Sequence, residues 1–242
     1  QIFINKILKN NGKRGYGYWF WKPYLILKTM NNLDEKNIIH YVDIGCHINN
    51  FGNNKFENYI SILDDDDVNL LAFQYYPLND KKFSDIDFPK REEFKNTKAD
   101  LLDYFQFLNN KKITHSPQFW AGSFFIKKNK FSISFVKEWL DVFEKNFHLI
   151  NDSPSKLQNF PGFLGNRHDQ SVFSLLCKKN FIKSLSAYEC DWAIKNNERT
   201  WDHAKYNPFL AKRDLKYNFF KRFINRQKRT FNRLKKKINY KF

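Results

Sequence analysis

The strongest limit on the fold comes from short apolar runs that alternate with amphipathic stretches. "NIIHYVDIG" (37–45), "VNLLAFQY" (68–75) and "QFWAGSFFIKK" (118–128) have strand length and are rich in β-branched and aromatic residues. Between and after them, "KFENYISIL", residues 91–108, "SISFVKEWLDVFEKNFHLI" and "RHDQSVFSLLCKK" read as helices. In the third of these, Phe135, Trp139, Val142, Phe143 and Phe147 share one helical face. Strands alternating with helices in one continuous chain imply an α/β fold, a mixed sheet with helices on both faces. "QFWAGSFFIKK" should be broken at Ala121-Gly122, and Pro23 should lie in the first turn of a helix reaching about Leu33.

Charge divides the chain. Its net charge of +17 points to anionic partners, but the cations crowd into residues 212–242, while residues 57–103 carry an acidic excess. In the basic stretch Phe220, Phe223, Ile224, Phe231, Leu234 and Ile238 recur at three- and four-residue steps, with Lys and Arg on the remainder. This pattern suits an amphipathic helix on an anionic membrane surface, or one docked on the main domain. A nucleic-acid-binding protein is the rival reading of the charge, but the acidic runs would repel phosphate. No apolar run approaches the roughly 20 residues that span a bilayer. Three cysteines without CxxC spacing fit free thiols in a reducing compartment.

Several polar constellations interrupt the apolar pattern. Asp43 ends a strand, where open α/β sheets bind ligands, and one carboxylate there can hold Mg²⁺ or Mn²⁺ against a diphosphate. The plainer reading is a turn closed with Gly45. Asp65 and Asp67, within "DDDD", match a D-x-D pattern but precede a strand, so a solvated run is expected. In "NRHDQS", Arg167 or His168 could meet phosphate, and Asp169 and Gln170 could bond sugar hydroxyls; an acidic helix turn is the alternative. Tyr18 belongs to an aromatic cluster beside Arg14 and Lys22, which is core or a wall for a base and its phosphates. His203 could add a late metal ligand. P-loop, GxGxxG, HExxH and Ser-His-Asp signatures are lacking.

Taken in order, "RGYGYWFWKPYLIL", "YVDIGC", "QFWAGSFFIKKN", "RHDQSVFSLL" and "NPFLAKRD" resemble bacterial glycosyltransferases of surface-polysaccharide and O-antigen clusters, over roughly residues 11–213. The resemblance implies a GT-A-like domain over residues 1–211, followed by the basic helix at 212–242. It implies transfer of a sugar from a nucleotide-diphosphate donor to a hydroxyl of a glycan, here a lipid-linked one at the inner face of the cytoplasmic membrane, with no nucleic-acid partner. By the same resemblance Asp43, with Gly45 in place of a second acid, serves donor and metal (Mn²⁺ or Mg²⁺). Arg14 and Lys22 meet the diphosphate, and Gly122 lets sugar approach the backbone. Asp169 and Gln170 face the transferred sugar and act in catalysis, with retention favoured, and His203 stands where a late metal ligand would. A GT-A domain opens on a strand and helix for the base. Starting mid-helix, this sequence is expected to lack that unit, so a truncated, inactive binding domain is a further alternative.

Overall fold

A computed structural model of the protein describes residues 14–212 together with Gln227. "FINKILKN" and the basic stretch beyond Lys212, with its expected membrane-facing helix, fall outside the described residues. The first regular helix among the described residues, α1 (Trp21–Met30), carries Pro23 in its first turn and ends three residues before Leu33. Strand β1 (Ile38–Val42) follows, then the short β2 (His47–Ile48), helix α2 (Asn53–Asp64) and strand β3 (Leu70–Gln74).

Residues 91–108 are not one helix. They form α3 (Glu93–Asn96) and α4 (Ala99–Tyr104), separated by Thr97 and Lys98 in extended conformation. Side chains distant in sequence take the amides that a continuous helix would use there. Asn166 Oδ1 accepts from the Lys98 amide at 3.4 Å, and Asn159 Oδ1 accepts from the Ala99 amide at 2.8 Å. Strand β4 (Phe119–Lys127) is buried along its whole length. It also runs unbroken through Ala121-Gly122. The irregularity lies in its pairing instead, where the register with β3 shifts between Ala72 and Phe73. Helix α5 (Lys130–Lys145) starts at Asn129, whose side chain accepts from the Ser132 amide at 2.9 Å. Helix α6 (Asp169–Lys179) and strand β5 (Lys183–Ser186) complete the main layer, and β6 (Ala193–Lys195), β7 (Glu198–Thr200) and β8 (Phe209–Leu210) form two small ribbons with each other and with β2.

The sheet order is β1-β4-β3-β5, with β4 antiparallel to both neighbours and β5 parallel to β3. Strands β1, β3 and β5 therefore point the same way and end at the same edge. Alternating side chains divide the core in two. Leu70, Ala72, Phe124 and Ile126 face Trp139, Phe143, Phe173 and Leu176, from α5 and α6; Leu71, Phe73 and Phe125 face Tyr59 and Leu63 from α2 and Phe209 from β8. The mixed sheet with helices on both faces is as the alternation predicts.

Candidate functional site

The strand edge gathers three residues distant in sequence. After β1, the Asp43 amide donates to the Gly122 carbonyl at 2.8 Å, and the Asp43 carbonyl accepts from the Cys46 amide at 2.9 Å, closing a turn over Ile44 and Gly45. Gly45 serves that turn, as the plainer reading has it, while the Asp43 carboxylate is left for other work. Tyr41 lies two residues earlier on the same strand face, and its hydroxyl donates to Asp43 Oδ1 at 2.8 Å. From α1, Lys22 Nζ reaches Asp169 Oδ2 at 2.6 Å, the Ala121 carbonyl at 2.9 Å and Asp43 Oδ1 at 3.6 Å. The side chains of Lys22 and Asp169 are 3% and 8% exposed, whereas that of Asp43 is 43% exposed. Burial alone would lower the Lys22 pKa, but the Asp169 and Asp43 carboxylates outweigh it and hold the ammonium above its usual range. Burial pushes the Asp169 carboxyl up against the opposing pull of Lys22; with both carboxylates ionised, the three groups carry a net negative charge, open to solvent on the Asp43 side.

Asp169 owes its position to the backbone before it. His168 precedes α6 at φ 57°, ψ −117°, a conformation costing a non-glycine residue roughly 1–3 kcal/mol. Its buried ring donates Nδ1–H to the Ile150 carbonyl at 2.5 Å and packs against Tyr18 and Trp19. Burial lowers its pKa to about 4, so the ring is neutral at pH 7. Residues Gly15–Trp19 all have positive φ and form one left-handed turn, which costs its non-glycine members roughly 1–2 kcal/mol each. That turn sets Arg14 on Asp152 at 2.8 Å and the Tyr18 hydroxyl on Asp152 at 3.2 Å.

These contacts revise several expected roles. Lys22 is held between two carboxylates, Arg14 pairs with Asp152 with side chains 47% and 51% exposed, and Tyr18 is buried between Asp152 and His168. His168 is likewise buried and neutral, with Nε2 left without a hydrogen-bond partner. Arg167 is exposed and has no carboxylate partner among the described residues; its Nε donates to Asn96 Oδ1 at 3.4 Å. Gly122 is empty for an internal reason. A Cβ there would lie 2.3 Å from the Trp120 indole, so the glycine makes room for that ring. His203 Nε2 bonds the Asp191 carbonyl at 3.0 Å, its ring packs against Phe83 and Phe88, and its Nδ1 is buried without a hydrogen-bond partner. Asp64 to Asp67 are exposed at the opposite end of the sheet, with Asp65 Oδ1 accepting from the Asp67 amide.

No three His, Cys, Asp or Glu side chains converge on an ion position among the described residues, and the Lys22 ammonium already sits against Asp43. Two further groups escaped sequence reasoning. Arg91 pairs with Asp191 at 3.0 Å and stacks 4.1 Å from the Tyr75 ring centroid, at the same edge, just past β3. Beneath the site, Gln170 Nε2 donates to Gln118 Oε1 at 3.0 Å, and Gln118 Nε2 donates to the buried Glu93 at 3.0 Å. For Tyr41 a sequence signal existed, since it stands at i−2 from the strand-end acid. Asp152 and Asp191 lie in loops with no pattern to reveal them.

No known sequence family matches the chain, and no curated protein does. Among solved structures, mouse xyloside xylosyltransferase 1 in its apo form aligns at 11% identity with a TM-score of 0.40, over 78% of this chain and 61% of that one. The chain thus spans less than two thirds of that protein. A likeness at this level carries no argument about activity.

Proposed function

We propose that the protein is a glycosyltransferase on a GT-A-like fold, moving a sugar from a nucleotide-diphosphate donor to a hydroxyl of a glycan. The Asp43–Lys22–Asp169 cluster at the strand edge carries this reading. In sugar transfer the bond from the anomeric carbon to the diphosphate oxygen breaks, and its electron pair leaves with the diphosphate. A bond to the acceptor oxygen forms, and the acceptor proton passes to a base or to the departing phosphate. Positive charge develops at the anomeric carbon, and a fixed, net negative cluster is complementary to it. Asp169, buried and held by Lys22, suits a preorganised charge better than a base that trades protons with solvent, which favours retention. Asp43 faces the open side. Arg167, exposed and adjoining Asp169 in sequence, is the cation that would meet the diphosphate in this reading.

The motif order supports a lipid-linked bacterial surface glycan as acceptor, with the basic residues 212–242 holding the enzyme on an anionic leaflet. Each cation near such a surface contributes about 1 kcal/mol. Sedimentation with anionic vesicles at about 0.15 M salt, with and without residues 214–242, tests this part. Binding that survives the deletion removes the anchor.

Thermal shift with UDP-, GDP-, CMP- and dTDP-sugars, each with and without Mn²⁺, tests the central reading. A true donor raises the midpoint as its concentration rises. Failure of every nucleotide sugar to do so would sink it.

A further inference from the structure

We propose that Glu93, fully buried beneath the site, decides which end of the Gln170 amide meets the ligand. It is a positioning residue, and the inference rests on the transferase reading only for the identity of that ligand. The Glu93 carboxylate is surrounded by donors. Its Oε1 accepts from Lys178 at 2.7 Å and from the Ser174 hydroxyl; its Oε2 accepts from Thr97 at 2.6 Å and from Gln118 Nε2 at 3.0 Å. Glu93 and Gln118 are both 0% exposed, so no water can repair a mismatch.

A carboxylate only accepts, which removes the ambiguity of an amide next to it. Gln118 must turn its NH₂ toward Glu93, because the flipped amide would set oxygen against oxygen. Thr97, whose hydrogen goes to Glu93, accepts from the same Gln118 nitrogen at 2.9 Å and reinforces that choice. The Gln118 oxygen therefore faces the other way, toward Gln170. There it can only accept, and Gln170 Nε2 donates to it at 3.0 Å. The end of Gln170 left over is its carbonyl. This oxygen is not among the buried unpartnered atoms and accepts nothing from a described residue. The order of donors from Glu93 through Gln118 thus places a hydrogen-bond acceptor at the first turn of α6, next in sequence to the Asp169 carboxylate. The ligand group that matches it is a donor, and for a sugar that means a hydroxyl.

Side-chain amide NMR on the ¹⁵N-labelled full chain, without ligand, reads this directly. In the parent, Gln118 and Gln170 should each give one set of NH₂ signals, with exchange at least about tenfold slower than a free glutamine amide. Glu93→Gln supplies an amide that can present either end, and the Gln170 signals should double or lose protection. Because that change also leaves Lys178 unpaired and could prevent folding, Gln118→Met is the second variant. It keeps Glu93 with Lys178 and should release the Gln170 amide to fast exchange. A freely exchanging Gln170 amide in the parent, or one still protected and single in Gln118→Met, overturns the proposal. With a donor from the nucleotide-sugar screen, Gln118→Met should lower kcat/KM about tenfold in protein that remains folded. Unchanged kinetics would also overturn it. If the amide results hold while no nucleotide sugar binds, the relay stands and the transferase reading falls. If sugar is transferred but Gln170 is unprotected, the reverse follows.

Discussion

Two lysine–carboxylate pairs involve the two ends of α6. Asp169 in its first turn takes Lys22, and Lys178 in its last turn takes Glu93, an arrangement that also complements the helix dipole. They differ in what surrounds them. Around Glu93 every oxygen is answered by a protein donor, and nothing from outside can reach it. Around Lys22 a second carboxylate, Asp43, stands 43% exposed at the strand edge. The closed pair orders the interior; the open pair has capacity to spare. A buried ion pair is therefore not in itself a sign of chemistry, and the extra half-exposed charge is what separates the two.

The comparison breaks most visibly at the lysines. Lys22→Met and Lys178→Met each strand a buried carboxylate, and each should cost roughly 3–5 kcal/mol in urea unfolding. A cost for Lys22→Met below about 1 kcal/mol would mean that its pair is not desolvated as described. Asp43→Asn sharpens the contrast. Turnover should fall about 100-fold or more, since a preorganised charge at the reacting centre is lost, while urea stability changes by less than about 1 kcal/mol because the group is half-exposed. Equal damage to both would return Asp43 to a structural role.

His168 gives a smaller, pH-dependent effect. Its folded pKa of about 4 lies below the ordinary histidine value, so the unfolded chain binds the extra proton first as pH falls. The stabilisation is complete above about pH 6.5, declines through the interval below it and is gone by about pH 4, amounting to at most about 3 kcal/mol. Unfolding midpoints at pH 7, 5.5 and 4.5 should fall more steeply for the parent than for His168→Asn. Parallel slopes would refute the assignment. At the small end, Asp65→Asn and Asp67→Asn should leave turnover intact and stability within about 0.5 kcal/mol, and strong inactivation there would move the site to the wrong end of the sheet.

Some of this could be seen in the sequence and some could not, for physical reasons. Strands β1, β3 and β4 and helices α2, α5 and α6 follow from residue periodicity, which is local. Asp43 stands out because an acid at the end of an apolar run has few reasons to be there. The partnership of Lys22 with Asp169 spans 147 positions, and no local pattern encodes it. Glu92 and Glu93 are adjacent and look alike in "KREEFKN", yet only Glu93 is wholly buried, against Ser174 and Gln118. Gly122 was recognisable as a close approach, but its neighbour is the i−2 indole rather than a ligand. The helix expected over 91–108 failed where the side chains of Asn166 and Asn159 took the Lys98 and Ala99 amides from the backbone.

Strand order has a consequence for how the molecule is born. Among the described residues β1 forms one side of the sheet and pairs only with β4, which lies some eighty residues later in the chain. During synthesis the segment bearing Tyr41 and Asp43 must wait, unpaired, until residues 119–127 leave the ribosome, and at about 5–20 residues per second that wait lasts several seconds. A nascent chain stalled in that interval would expose an apolar strand with both backbone edges open, a natural client for a holding chaperone.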